Sequence, residues 1–202
     1  GVCDNTGCVY RNVPVDVNGN WLADFSVPGD QDNEQQTFDL RAGSSGEAQR
    51  IDDDGDGTVY QWRVPNPTIG VRANDNSMEG WEWPLDATVT IEIDDPDTGM
   101  NPDYTDTATV VVADWDPNQT LFRHNIENYD LKAGDTVKVT DGNTTKLLTV
   151  TDFMIANVDL DTDKVYGIAE PDQRVNVWTC WQNDPCVSRD ETAGGDGNWE
   201  TD

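Results

Sequence analysis

The chain has 202 residues, with 40 Asp and Glu against 12 Lys and Arg and a formal charge of −28, a length that accommodates one to three small domains. So strong a negative balance excludes nucleic acid and anionic membrane surfaces as partners, because both would repel it. It also strains a compact fold unless the chain is disordered, bathed in salt or bound to cations, and eight Trp with recurrent Val/Ile/Thr alternation supply core material that disordered chains lack.

In chain order, the first feature is a cysteine pair, Cys3 and Cys8, around a short polar loop. Cys180 and Cys186 repeat it near the other end. In an acidic chain rich in Thr and Asn, such pairs read as local disulfides and place the protein in an oxidising, extracellular or cell-surface setting. Four free thiols or two zinc half-sites are the alternatives, although zinc prefers tighter knuckles and His124 is the single histidine. No apolar run approaches the roughly 18 residues of a membrane helix. With no initiator Met and no signal segment, a mature product or an excerpt is expected.

Val13, Val15 and Val17 alternate with polar residues and predict a strand, closed by the turn pair Asn18-Gly19. The same period-2 pattern recurs at Val89, Ile91 and Ile93, at Ala108, Val110 and Val112, and at Val137 and Val139. Turn chemistry separates these runs at Asp54-Gly55, Pro96–Gly99, Ala133–Asp135 and Asp141–Asn143. No stretch has convincing helical periodicity. Many short strands at regular spacing predict an all-β fold of immunoglobulin-like β-sandwich modules.

Asp52-Asp53-Asp54-Gly55-Asp56-Gly57 is the strongest local motif. Asp52, Asp54 and Asp56 at alternate positions can wrap oxygens around Ca²⁺, which takes six to eight such ligands. Position twelve of an EF-hand loop falls on Arg63, so other segments must complete the shell. The alternative is an acidic, solvated turn. Asp159, Asp161 and Asp163 form a second alternating run; in an extended segment at a domain junction they would share one face and call for a cation between them. Asp94-Asp95-Pro96-Asp97 and Asp114-Trp115-Asp116 are weaker candidates of the same kind.

Trp81 and Trp83 alternate, and Trp178 and Trp181 flank a cysteine, so exposed aromatic platforms for glycans are a second functional expectation. Trp21 and Trp199 are expected in the core, as small sandwiches commonly bury a Trp or two. His124 lies in a predicted strand and is expected to be a surface residue. No Ser-His-Asp, Cys-His or phosphate-loop pattern is present, and an enzyme is not expected. Asn118-Gln119-Thr120 and Asn143-Thr144-Thr145 are N-glycosylation sequons.

The two ends repeat each other. Each carries Cys, a polar loop, Cys-Val, a basic residue, a polar stretch, then Gly-Asn-Trp; Gly19-Asn20-Trp21 recurs 178 residues later as Gly197-Asn198-Trp199. One insertion in the Cys loop aligns the remainder. The expected organisation is the later strands of one module at 1–64, a complete module at 65–154, and the opening half of a further module at 155–202. The run Val165-Tyr166-Gly167-Ile168-Ala169-Glu170-Pro171, then Val175-Asn176-Val177, then Gly197-Asn198-Trp199, resembles bacterial immunoglobulin-like repeats. Those read V-x-G-x-A-x-P-G-x-x-V-x-V followed by G-N-W and occur in large secreted surface proteins and adhesins. Asp172-Gln173 replaces the Gly common in that turn. The resemblance implies tandem β-sandwiches, surface display and a structural or adhesive role, with other copies of the repeat as partners. Covalent continuation and strand donation between subunits both fit that role.

Overall fold

The computed structural model describes residues 1–4, 7–180 and 185–202, the side chain of Asp4 aside. The fold is all-β, built of several antiparallel sheets with two short 3₁₀ turns. Two compact units separate by contacts: residues 1–68 with 81–84, and residues 69–80 with 85–202.

In the first unit, β1 (Val2–Asp4), β2 (Gly7–Val9), β3 (Ser45–Ile51) and β4 (Gly57–Arg63) form one sheet in the order β2-β1-β3-β4. Its core is small: Val2, Val9 and Phe25, with Ala23, Phe38 and Trp62 packed against them. Between β2 and β3 runs a long segment with only a 3₁₀ turn at Asp32–Glu34. Structureless runs beyond about 12–15 residues are uncommon in compact domains. Arg11 holds this one together, donating to the carbonyls of Tyr10, Asp24, Val27 and Gln36 and lying 5.3 Å from the Phe25 ring centre. Glu34 is buried and accepts from the Asn12 backbone and side-chain amides at 2.8 and 2.6 Å.

The expected strand at Val13–Val17 does not form. Val15 and Val17 are exposed and the stretch carries no strand. Pro14 removes a ladder donor, and among the described residues no strand pairs with the segment to reward the alternation.

The central strands make two four-stranded sheets. One orders β5 (Thr68–Arg72), β6 (Ser77–Trp81), β10 (Asp116–Asn125) and β9 (Val111–Ala113) as β5-β6-β10-β9. The other orders β12 (Thr145–Thr149), β11 (Thr136–Thr140), β7 (Thr88–Asp94) and β8 (Tyr104–Thr109) as β12-β11-β7-β8. The alternation predicted for β7 and β11 is realised: Val89, Ile91, Ile93, Val137 and Val139 are all fully buried. Burying a side chain of this class contributes roughly 1.5–3 kcal/mol, which is what fixes register. The Ala108–Val112 alternation breaks at Val110, where the chain passes from β8 in one sheet to β9 in the other. Val110 is buried and bonds back to Ala87, and Val112 faces outward.

The last strands are β13 (Met154–Asp159), β14 (Lys164–Ile168), β15 (Arg174–Thr179), β16 (Val187–Thr192) and β17 (Asn198–Thr201). They form a three-stranded sheet, β13-β14-β17, and a two-stranded one, β15-β16. Ala169, Val175, Ala193 and Trp199 make their core, with Val165 and Val177 against it.

Candidate functional site

The Asp52–Asp56 run is the tip of the β3–β4 hairpin. The Asp52 amide donates to the Asp56 carbonyl at 2.9 Å, and one Asp52 carboxylate oxygen accepts the Asp56 amide at 3.0 Å. Gly55 takes φ +99°, a conformation open to glycine. The Asp54 carboxyl lies close enough to hydrogen-bond that of Asp52; this contact first, then the amides of Asp56, Asp54 and Gly55, holds Asp52 below the ordinary carboxylate range. Two carboxylates this close on an exposed tip suit a hard cation. Asp56 is exposed on the same tip. Among the described residues, no three acidic, His or Cys side chains are already drawn into one metal-sized cluster.

The Asp159–Asp163 run is also a hairpin tip, joining β13 to β14, and is not the extended segment that would set all three carboxylates on one face. Asp159 accepts from the amides of Asp161 at 2.9 Å and Thr162 at 3.3 Å, and the Thr162 hydroxyl is the main reason its carboxyl stays low. Asp163 takes the left-handed conformation that ends the turn. Local capping of the backbone therefore accounts for Asp159.

The other acidic runs hold backbone in place. Asp95 pairs with Lys132 Nζ at 2.6 Å and accepts the Asp97 amide, and its own amide donates to Asp103. Lys132 keeps the Asp95 carboxyl low, and Asp95 raises Lys132 in turn. Asp116 caps the Asn118 amide at 2.9 Å. Asp135, expected only as a turn residue, is fully buried and accepts the Lys132 amide at 3.0 Å. Burial first, and then Asp135, raises the nearby Tyr129 hydroxyl.

Trp83 does not share an exposed face with Trp81. It is 1% exposed and its indole N–H donates to the Thr68 carbonyl at 3.0 Å, because the chain leaves β6 after Trp81 with Glu82 at positive φ. Trp178 on β15 and Trp115 are exposed, the latter under the Arg123 guanidinium at 5.2 Å. Trp181 lies outside the described residues. His124 sits in β10 as expected but is mostly enclosed; its Nε2 lies 2.8 Å from the Tyr104 hydroxyl and 3.6 Å from Asp106. Asn118 and Asn143 of the sequons are both exposed.

Both cysteine pairs are disulfides, Cys3–Cys8 and Cys180–Cys186. They close equivalent hairpins. Val2 faces Val9 beside the first, as Thr179 faces Val187 beside the second. Farther along the repeat, the turns also match: the Gly19 amide donates to Asp16 at 3.0 Å and the Asp16 amide to Asn20 at 2.9 Å, while Gly197 donates to Gly194 and Gly194 to Asn198, both at 2.8 Å. Gly19 and Gly197 share positive φ, +87° and +81°. An aspartate caps the turn in each copy from a different position. Asp16 accepts the Asn20 amide at 2.8 Å, and Asp196 the Asn198 amide at 3.1 Å.

Beyond the turn the copies diverge. In the second, Asn198–Thr201 is β17, Trp199 is 5% exposed, and its ring lies over Gly167 and stacks on Phe153. In the first, the same residues belong to no strand and Trp21 is 53% exposed, contrary to its expected place in the core. Val15, aligned with the buried Ala193, is likewise open.

No helix among the described residues is long and apolar enough to cross a membrane, and the disulfides indicate an oxidising, non-cytoplasmic compartment. No family model, curated protein or solved structure matches the chain.

Proposed function

We propose that this chain is a structural segment of an extracellular, calcium-stabilised filament, stalk or adhesin built from repeated immunoglobulin-like β-sandwiches, joined covalently or by strand donation. The observation that carries this is the repeat: two sequence copies 178 residues apart with the same disulfide hairpin and the same backbone-bonded turn. Repeated modules contacting only their neighbours give length. Cations at acidic tips, Asp52–Asp56 first, relieve the repulsion of −28 charges. Electron microscopy of native material with and without chelator tests this. Linear or lattice assemblies that loosen in chelator are expected; dispersed monomers under both conditions would contradict it. A planar, S-layer-like coat is the two-dimensional version of the same proposal.

A glycan-binding module is the second candidate, favoured by the exposed Trp178 indole. A glycan array comparing the chain with Trp178→Ala decides it, since binding unchanged by that substitution removes the platform.

A further inference from the structure

The first copy of the repeated segment carries no strand after Val9, and the second copy shows which neighbours make one. Trp199 is seated by residues that precede its repeat in sequence: β14 pairs with β17 with Gly167 opposite Trp199, Tyr166 opposite Glu200 and Val165 opposite Thr201. β15 pairs with β16, Val175 opposite Glu191 and Val177 opposite Arg189. Ala169 and Val175 fill the core between them, with Val165 and Val177 packed against it. In the first copy the residues aligned with β16 and β17 are present as Val9–Pro14 and Asn20–Ala23, in the same turn geometry. The apolar residues that would face inward, Val15 and Trp21, are exposed, and Leu22 beside Trp21 is open too. An open groove of about 340 Å³ lies between Leu22–Ser26 and Phe38–Leu40, so Leu22 borders it.

We infer that the Val9–Ala23 face is an acceptor site whose occupant is a second copy of this chain's own Phe153–Val177 segment. The incoming β14 pairs with Asn20–Ala23, its glycine opposite Trp21 and its valine opposite Ala23. The incoming β15 runs on into β1, whose Val2–Val9 register already matches Thr179–Val187. Backbone ladders supply affinity and the glycine–indole seat supplies register. That seat is selective: a Cβ on Gly167 would fall 2.1 Å from the Trp199 ring and 2.4 Å from the Met154 carbonyl oxygen. One contact is not reproduced. Lys164 pairs with Glu200 at 3.0 Å, and the first copy has Leu22 at that position.

The inference rests on the array proposal but fails separately from it. Oxidative footprinting read by peptide mass mapping compares Trp21 with Trp199 in the full chain and in a full chain carrying a second copy of residues 153–177 ahead of Gly1. Trp21 should oxidise readily in the first and fall to the Trp199 level in the second. Introducing Gly167→Leu in the added copy alone should restore its reactivity. Should the extended chain fail to fold, judged by its disulfides and by amide protection of β7 and β11, the Phe153–Val177 peptide added to the unextended chain replaces it, with saturable shielding of Trp21 expected. A Trp21 that stays reactive in a folded extended chain, or against saturating peptide, overturns the inference, as does shielding that survives Gly167→Leu. Native filaments with a reactive Trp21 would remove the docking and leave the array. Monomers whose added copy shields Trp21 would do the reverse.

Discussion

Residues 16–23 and 194–201 carry one sequence pattern, close the same two backbone hydrogen bonds and place glycine at the same positive φ, yet one ends as a buried strand and the other as exposed chain. Turn formation is local, set by Asn, Asp and Gly chemistry within five residues. Strand formation is not, because a β ladder and a buried indole need a partner from elsewhere. In the second copy that partner is β14; in the first, no strand among the described residues pairs with it. The long run between β2 and β3, held by Arg11 and Glu34, is what such a segment looks like without its neighbours.

Truncating the two tryptophans should have the largest and most unequal effects. Trp199→Ala should destabilise the β13–β17 region by about 3–5 kcal/mol, as large core deletions do. Trp21→Ala should stay within about 0.5 kcal/mol, as surface changes do. Denaturant unfolding of the two variants checks both, and equal losses would mean Trp21 is buried. Trp199→Phe should keep most of the stability, because the indole N–H has no hydrogen-bond partner among the described residues.

Cation removal comes next. If Ca²⁺ holds the Asp52–Asp56 tip, chelation forfeits RT ln(1 + [L]/Kd), roughly 2.7 kcal/mol at a hundredfold excess over Kd. A clear fall in melting temperature is expected, abolished by Asp52→Asn with Asp54→Asn. An unchanged melt would point to a salt-adapted surface. The Asp159 tip sharpens the contrast, since its carboxylate already caps two amides; Asp161→Asn should leave the chelator response intact.

Much of this was legible in sequence. The β7 and β11 alternations, the turns and both disulfide loops follow from period and residue type, because each depends on neighbours close along the chain or on one dominant core. Val13–Val17 and Trp21 misled, since alternation reports a face suited to burial and not whether a second surface is there to bury it. Trp83 misled in the opposite sense, because the chain bends out of β6 at Glu82. Asp159–Asp163 alternates like a strand, but Asp159 spends its carboxylate on its own turn. Nothing in the sequence flagged Arg11 and Glu34, whose partners are carbonyls and amides scattered along the irregular run, nor Asp135, whose burial depends on tertiary packing.

Two smaller effects refine the comparison. Gly167→Ala should cost about 1–3 kcal/mol through overpacking against Trp199 and the Met154 carbonyl; a neutral outcome in denaturant unfolding would mean the indole is loosely seated. The turn aspartates give the least. Asp16 is held below the ordinary value of 3.8 chiefly by the Asn20 amide, and Asp196 chiefly by the Asn198 side chain. A depressed folded-state pKa contributes stability that is present above the unfolded value and lost as pH falls through the folded one. Both contributions should therefore hold above about pH 4 and fade below it. NMR titration of the two carboxyls should find both depressed, because the turn is local; depression confined to Asp196 would make the first turn dependent on absent partners.

Hydrogen exchange of both copies, followed in a single sample, separates a partnered strand from an unpartnered one. Amides of Trp199 and Thr201, which face β14 in the β14–β17 ladder, should exchange slowly, and those of Trp21 and Ala23 should exchange at nearly unprotected rates until a second Phe153–Val177 segment is supplied. Equal protection of the two copies in the chain as it stands would contradict the account.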